Sequence, residues 1–287
     1  MALTATSASR AGNGDLQDRM RQQLPGHYGF KGILLAEWTK LRSVRSTIWS
    51  LVATVVATLA IGAIATATEA ARWSHEGLVS RLTFDPTSLS LTGLLLGQLA
   101  IGVLGVLTVS AEYGTGTIQA TFAATPKRSL VLMAKATVFG LVAFVVSEAS
   151  SFAAFITGQA ILAGSTPHAT LLQPGVARAV IGGGLYLTVL GLLALGLAAL
   201  IRHTAGAITA FVGILLILPL IVQALPSSVA DALGRYMPAT IGVRLLTVNP
   251  AARLLPTFSP WVGFAVLCGY AAFFLLLGGW TMVHRDA

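Results

Sequence analysis

Of the 287 residues, 55% are hydrophobic and only 10% are charged, against about 25% charged in soluble globular proteins. This composition excludes a soluble globular class and indicates an integral membrane protein. Eighteen Lys and Arg against ten Asp and Glu give a formal charge of +8. Because these cations stand at the ends of apolar segments, we interpret them as topology signals that face anionic headgroups, not as a nucleic-acid surface.

The chain begins with a polar stretch and continues with an amphipathic one. Residues 1–28 have no sustained apolar run, which predicts a disordered cytoplasmic tail. Residues 29–46 have the spacing of an amphipathic helix whose apolar stripe is bordered by Lys and Arg. Such a helix is expected to lie in the membrane interface, with its cations reaching the lipid phosphates. The stripe consists of Phe30, Ile33, Leu34, Trp38, Leu41, Val44 and Ile48.

Glu37 projects from the middle of this apolar stripe. A lone carboxylate in such a place is costly unless it is paired. Its partner is either a local cation such as Lys40, one helical turn away, or a tertiary one in the Lys127–Arg128 region or on a docking protein. The sequence leaves both possibilities open.

Six apolar segments follow, each near or above the roughly 20 residues that cross a bilayer as a helix. Open strands would leave backbone groups unsatisfied in lipid, so the predicted fold class is an all-α integral membrane protein with six transmembrane helices. The third segment is too long for one straight span, so it should project from the membrane or break. The six segments run approximately over residues 47–68, 88–110, 130–162, 176–201, 205–225 and 260–283.

The distribution of cations predicts the orientation. With the N-terminus in the cytoplasm, 12 of the 18 Lys and Arg fall on the cytoplasmic side and six outside, which places both termini in the cytoplasm. The longest outer connection, residues 226–259, contains apolar pieces that are too short to span. We expect one or two short helices there, tucked against the outer leaflet, with an ordinary surface loop as the alternative.

The stretch from Glu112 to Arg128 is a polar interruption between the second and third spans. This stretch predicts a short cytoplasmic helix of about two turns. Glycines make the chain flexible before the helix, a threonine can cap its start, and Pro126 ends it before two cations. Ile118 and Phe122 then share one side, because residues four apart are helical neighbours. Such a helix cannot fold alone and needs a surface to lie on.

Three polar residues within the spans are candidates for a transport path: Gln98, Glu148 and Gln223. An intramembrane carboxylate is a functional hypothesis by default. For Glu148 the alternative is a structural group, either protonated or hydrogen-bonded to Ser147 or Ser150 near the outer water. The run Gly182–Gly184 in the fourth span indicates close helix packing rather than a substrate site.

Catalytic constellations are missing from the sequence. The five histidines are scattered among loops and ends, which gives no support for a metal site. No phosphate-binding loop of the Gly-x-x-x-x-Gly-Lys type occurs. The chain is therefore expected to have no catalytic residue and no cofactor of its own, and its energy must come from a partner or an ion gradient.

Four motifs, in this order, resemble permeases of ATP-binding-cassette (ABC) transporters of the type-2 exporter class, particularly those of high-GC Gram-positive bacteria. The resemblance covers nearly the whole chain and says nothing about the substrate. The motifs are Leu35–Ser43, which resembles the first helix of these permeases, Glu112–Arg128, which resembles the loop between their second and third spans, Arg202–Gly206 and Arg285–Ala287.

The resemblance implies that the short helix is a coupling helix seated in a cleft of a separate ATPase subunit. It implies two ATPase copies that bind ATP and Mg, a second permease in a homodimer or heterodimer, and a bacterial plasma membrane location. Gln119 and Thr121 stand where the family often has charged residues. The implied ATPase-coupling residues are Glu37, Glu112, Gly114, Thr115, Gly116, Thr117, Ile118, Phe122, Pro126, Lys127 and Arg128.

An alternative function of a different class is a gradient-driven carrier or a membrane scaffold without transport. A carrier would be expected to show inverted repeats or matching Gly/Pro-broken helices in two halves. No convincing repeat is found, and Pro219 alone does not make one.

Overall fold

The computed structural model describes residues 29–125, 127–249, 251 and 258–284. These residues form helices and no strand, and six of the helices are long and apolar enough to cross a membrane. The predicted all-α membrane fold is thereby confirmed. The N-terminal tail, Pro126 and the Arg285–Ala287 motif lie outside the described residues.

The helices are α1 (Phe30–Ser43), α2 (Arg45–Arg72), α3 (Leu78–Thr83), α4 (Pro86–Ser90), α5 (Leu94–Gly114), α6 (Thr117–Ala124), α7 (Arg128–Leu162), α8 (Val176–Ile201), α9 (Thr204–Val212), α10 (Leu218–Gln223), α11 (Ser227–Gly234), α12 (Pro238–Leu246) and α13 (Pro260–His284). A 3-10 turn, Trp73–His75, follows α2, and a π-helix, Gly213–Ile217, joins α9 to α10. The six spans are α2, α5, α7, α8, the continuous α9–α10 segment and α13.

The structure moves several predicted boundaries and decides the form of the third span. The amphipathic helix ends at Ser43, because Val44 adopts an extended backbone that separates α1 from α2. The second span begins at Leu94 rather than near residue 88, because residues 86–90 form their own short helix. The third span does not break: α7 is a single helix of 35 residues, about 52 Å long at 1.5 Å per residue, and therefore longer than the bilayer core.

Helix α8 is the centre of the bundle. Buried residues make up 78% of its most apolar stretch, against 17% for α2, and it packs against α5, α7 and α13. Its three consecutive glycines allow neighbouring helices to approach closely. Side chains of Leu245, Leu94 and Glu148 lie where a methyl group on Gly182, Gly183 or Gly184 would be. The interpretation of the glycine run as close helix packing is confirmed.

The fifth span contains a π-helix that the sequence analysis did not predict. It covers Gly213–Ile217, directly before Pro219 in α10. Proline lacks a backbone N–H and its ring clashes with the carbonyl four residues earlier, so the preceding turn widens instead of breaking the helix.

At the end of the bundle opposite α6, Asp85 connects two distant loops. One of its carboxylate oxygens caps α4 by accepting from the backbone N–H groups of Thr87 and Ser88. The other accepts from Val248 and Asn249, at 2.6 and 2.8 Å. The connection after the fifth span forms two short helices, α11 and α12, as predicted, and α12 packs against α8 and α13.

We expect Asp85→Ala to lower the free energy of unfolding by about 2 to 4 kcal/mol, because it removes a helix cap and leaves buried N–H donors without an acceptor. Thermal unfolding of the purified chain in detergent measures the effect. Asp231→Ala is the matched control, since Asp231 is exposed on α11. Equal unfolding midpoints for the two variants would show that the carboxylate does not hold the loops together.

Candidate functional site

Four charged side chains from three helices meet near α6, and we call them the charged cluster: Glu37 and Lys40 of α1, Glu112 of α5 and Lys135 of α7. The Lys135 Nζ atom lies 2.7 Å from Glu37 Oε2 and 2.6 Å from Glu112 Oε1. Lys40 Nζ lies 2.9 Å from Glu37 Oε1 and 3.0 Å from Glu112 Oε1. Each ammonium thus contacts both carboxylates.

The charged cluster is largely removed from water. Lys135 is 2% exposed and Glu37 is 5% exposed, whereas Lys40 reaches solvent with 43% of its side chain. The two positive and two negative charges balance each other. Such balance is needed when charges are buried, because removing an unpaired charge from water costs several kcal/mol. Burial lowers the pKa of Lys40, but its hydrogen bonds to Glu37 and Glu112 raise it above the ordinary value overall.

The partners of Glu37 agree with the prediction in part. Its local partner is Lys40, but its tertiary partner is Lys135, not the Lys127–Arg128 pair. The reason is that α1 packs against α7, where Lys135 lies seven residues, or about 10 Å, beyond the start. Lys135 occupies the same buried face as Val131 and Phe139. A lone lysine on an apolar face was the signal that the sequence analysis did not use.

Lys40 also connects the charged cluster to the short helix α6, because its ammonium donates to the Thr121 hydroxyl at 3.3 Å. On the same side of α6, Ile118 is 3% exposed and Phe122 packs against the core, as predicted. The Arg128 guanidinium lies 5.0 Å from the Phe122 ring centre. Helix α6 is therefore held in place by the packing of its apolar side and by contacts with Lys40 and Arg128.

The start of α6 differs from the prediction. No threonine side chain caps it. The residue before the helix is Gly116, with φ 72° and ψ 0°, a left-handed conformation that glycine adopts without steric cost. The Thr115 hydroxyl instead donates to the Ala111 carbonyl and lies 2.9 Å from the Thr117 hydroxyl. With Gly114, these residues form an exposed turn between α5 and α6.

Two arginines connect this region to the last span. Arg128 donates to the carbonyl of Met282 at 3.1 Å, and Arg202 donates to that of Thr281 at 2.6 Å. Both carbonyls belong to the last turn of α13, where backbone acceptors lack helical partners and the helix dipole is negative. Arg202, a residue that the sequence analysis did not assign to the site, also lies 5.5 Å from the Tyr113 ring centre. Lys127 is exposed.

A cavity of about 120 Å³ lies beside the charged cluster. Its apolar walls come from the α1–α2 junction and from α5, including Leu41, Val44, Leu104 and Leu107. The cavity leaves room for small movements of α1 relative to α5.

The three path candidates do not come together. Gln98 is buried and accepts a hydrogen bond from the Tyr186 hydroxyl at 2.7 Å. Glu148 lies against Gly184, two residues along α8 from Tyr186 and therefore on a different side of that helix. Gln223 is exposed at the end of α10. Their role in a path stays a prediction.

Comparison with known proteins gives no further assignment. No protein-family model matches the chain, and no curated protein matches it significantly. The described residues contain no group of three or more His, Cys, Asp or Glu that could hold a metal ion. The candidate site consists of the charged cluster, α6 and the two arginines.

We expect Lys135→Met to lower the free energy of unfolding by about 3 to 5 kcal/mol, because it leaves two carboxylates, Glu37 and Glu112, with a single ammonium and so one uncompensated negative charge. Adding Glu37→Gln should recover much of that loss, because it restores equal numbers of cations and anions in the charged cluster. Thermal unfolding of the three proteins in detergent measures this. Lys127→Met, at an exposed lysine, is the control. A double variant less stable than Lys135→Met would contradict the charge-balance explanation.

Proposed function

We propose that this chain is the membrane-spanning permease subunit of an ABC exporter. In this proposal, α6 is the coupling helix, a separate ATPase subunit in two copies binds ATP and Mg, and a second permease, identical or related, completes the transporter in a bacterial plasma membrane. The observation that carries the proposal is that α6 contacts α1 through Lys40 and α7 through Arg128 and buries Ile118, yet keeps one face exposed.

The exposed face of α6 suits close contact with a protein. It carries Thr117, Gln119, Ala120 and Ala123, which are small or uncharged. An isolated helix of eight residues is unstable in water, so its order depends on the contacts of its other face. A partner can therefore approach the backbone closely without having to displace the side chains that hold the helix.

The contacts of the site supply a route for movement. A displacement of α6 acts on α5 and α7 through the chain, on α1 through Lys40, and on α13 through Arg128. Because the charged cluster has discrete ion pairs rather than a flexible linker, it passes on a displacement instead of absorbing it. The mechanism then couples ATPase motion to the spans that border the transport path.

The carrier alternative receives less support from the helices. Among the described spans, a π-helix interrupts only the fifth, whereas a carrier with inverted repeats calls for matching interruptions in two halves. The cation bias of the sequence supports a cytoplasmic position for α6, on the side where ATP is available.

We expect the purified chain to have no ATPase activity and to change the ATPase rate of a separate cassette protein that binds it. The measurement is phosphate release by the ATPase alone, by the chain alone and by both in proteoliposomes. Hydrolysis by the chain that persists after all cassette protein has been removed would contradict the proposal.

We expect Phe122→Ala and Gly116→Pro to reduce the amount of ATPase retained by the tagged chain. Removing a fully buried aromatic contact costs on the order of 3 kcal/mol, and less at this partly buried position. Proline requires φ near −65° and cannot adopt the conformation of Gly116. Both changes lie in α6 or directly before it, outside the six spans.

The matched control is Gly164→Ala, because Gly164 lies just after the end of α7, away from α6, in open space and without a positive φ. It should retain the ATPase as the wild type does. Insertion into membranes is checked for each variant. Wild-type retention and ATPase stimulation in both α6 variants would show that α6 is not the coupling helix. That result would not bear on the six-span fold.

A further inference from the structure

Glu148 is an acidic group in the interior of a span that has no role in the site described above. It lies 20 residues into α7, about 30 Å from the start of that helix. Its side chain is half-buried, but both carboxyl oxygens are enclosed and make no hydrogen bond among the described residues. Neither nearby serine binds it: Ser150 donates to the Val146 carbonyl, and the Ser147 hydroxyl is buried without a partner.

The carboxyl group occupies a notch in α8. A methyl group at Gly184 would lie 2.7 Å from either carboxyl oxygen, so only glycine leaves room for the acid. The Gly184 carbonyl already accepts from the Thr188 hydroxyl at 2.9 Å. The acid thus packs directly onto helix backbone.

Among the described residues, no charged group pairs with Glu148. The helices packed against α7 are α1, α2, α4, α5, α8 and α13. In the described part of the chain, none of their titratable side chains forms an ion pair or hydrogen bond with it. Those side chains are Lys31, Glu37, Lys40 and Arg42 of α1, Arg45, Glu69 and Arg72 of α2, Glu112 and Tyr113 of α5, Arg178 and Tyr186 of α8, and Cys268, Tyr270 and His284 of α13.

An enclosed carboxylate without a cation or donor is far more costly than a neutral carboxylic acid in the same place. We propose that Glu148 is a proton-binding site within the membrane domain, where the carboxyl carries its proton while α7 and α8 are packed together. Separation of the two helices admits water and releases the proton. Any movement of α7 relative to α8 at this contact is then linked to pH through one proton.

A protonated carboxyl in an apolar place is a site for covalent modification by an apolar carbodiimide. The acid proton moves to one nitrogen of the carbodiimide, and a carboxyl oxygen forms a bond to its central carbon. The resulting O-acylisourea rearranges to a stable N-acylurea, so the reagent adds as a whole and nothing leaves. A carboxylate in water does not follow this route with an apolar reagent that remains in the lipid.

The test is labelling of the whole chain in membranes, followed by mass spectrometry of the peptides. We expect dicyclohexylcarbodiimide to modify Glu148, and a water-soluble carbodiimide to modify the exposed Asp231 instead. Above its titration midpoint, the labelling rate of Glu148 should fall about tenfold per pH unit, as the protonated fraction does. Gly184→Ala pushes the carboxyl out of the notch and should shift this profile, whereas Gly269→Ala, in open space, should not.

Modification of Glu148 by the water-soluble reagent, or no modification by the apolar one, would overturn the proposal. A second measurement avoids dependence on reagent access: the infrared band of a protonated carboxyl should be present in the wild type at neutral pH and missing in Glu148→Gln. Identical spectra would also overturn it. Neither measurement needs the ATPase, so the result does not depend on the proposed function.

Discussion

Charges that leave water must be matched, and the charged cluster is where this protein meets that requirement. Glu37 and Lys135 are 98 residues apart in the chain, yet they form an ion pair, because each is a buried charge that needs an opposite charge beside it. Lys40 and Glu112 complete the balance. As a result, the mutual arrangement of α1, α5 and α7 pairs each of the four charges with an opposite one, and Lys40 connects that arrangement to α6.

The same principle acts at the last turn of α13. Arg128 and Arg202 supply donors to backbone carbonyls that a helix end leaves without partners. Both arginines also face aromatic rings, Phe122 and Tyr113. Polar interactions therefore join the ends of α5, α7, α8 and α13 around the short helix, while apolar packing and glycines join the middle of the same helices.

This division separates a closely packed middle of the bundle from a less closely packed end. Along α8, glycines bring α5, α7 and α13 so close that their relative positions cannot change without large rearrangement. At the end near α6, ion pairs and a cavity of about 120 Å³ replace close packing. Each ammonium of the charged cluster contacts both carboxylates, so this end is joined by polar contacts rather than by close apolar packing.

The sequence alone determined the class of the protein, the number of spans and the position of the short helix. Those features follow from the length of apolar runs and from the placement of Gly and Pro, which are local properties. It also indicated, through Glu37, that a buried charge needed a partner. Only the tertiary structure decided which partner, because the choice of Lys135 depends on how α1 lies along α7.

The start of α6 and two contacts between helices distant in the chain illustrate the same limit at a smaller scale. A glycine and a threonine were both available to begin α6, and the path of the chain out of α5 requires the left-handed conformation that favours Gly116. Arg128 and Met282 are 154 residues apart, and the Glu148 notch needs a glycine on another helix. Such contacts depend on the packing angle and depth of helices, which local periodicity does not encode.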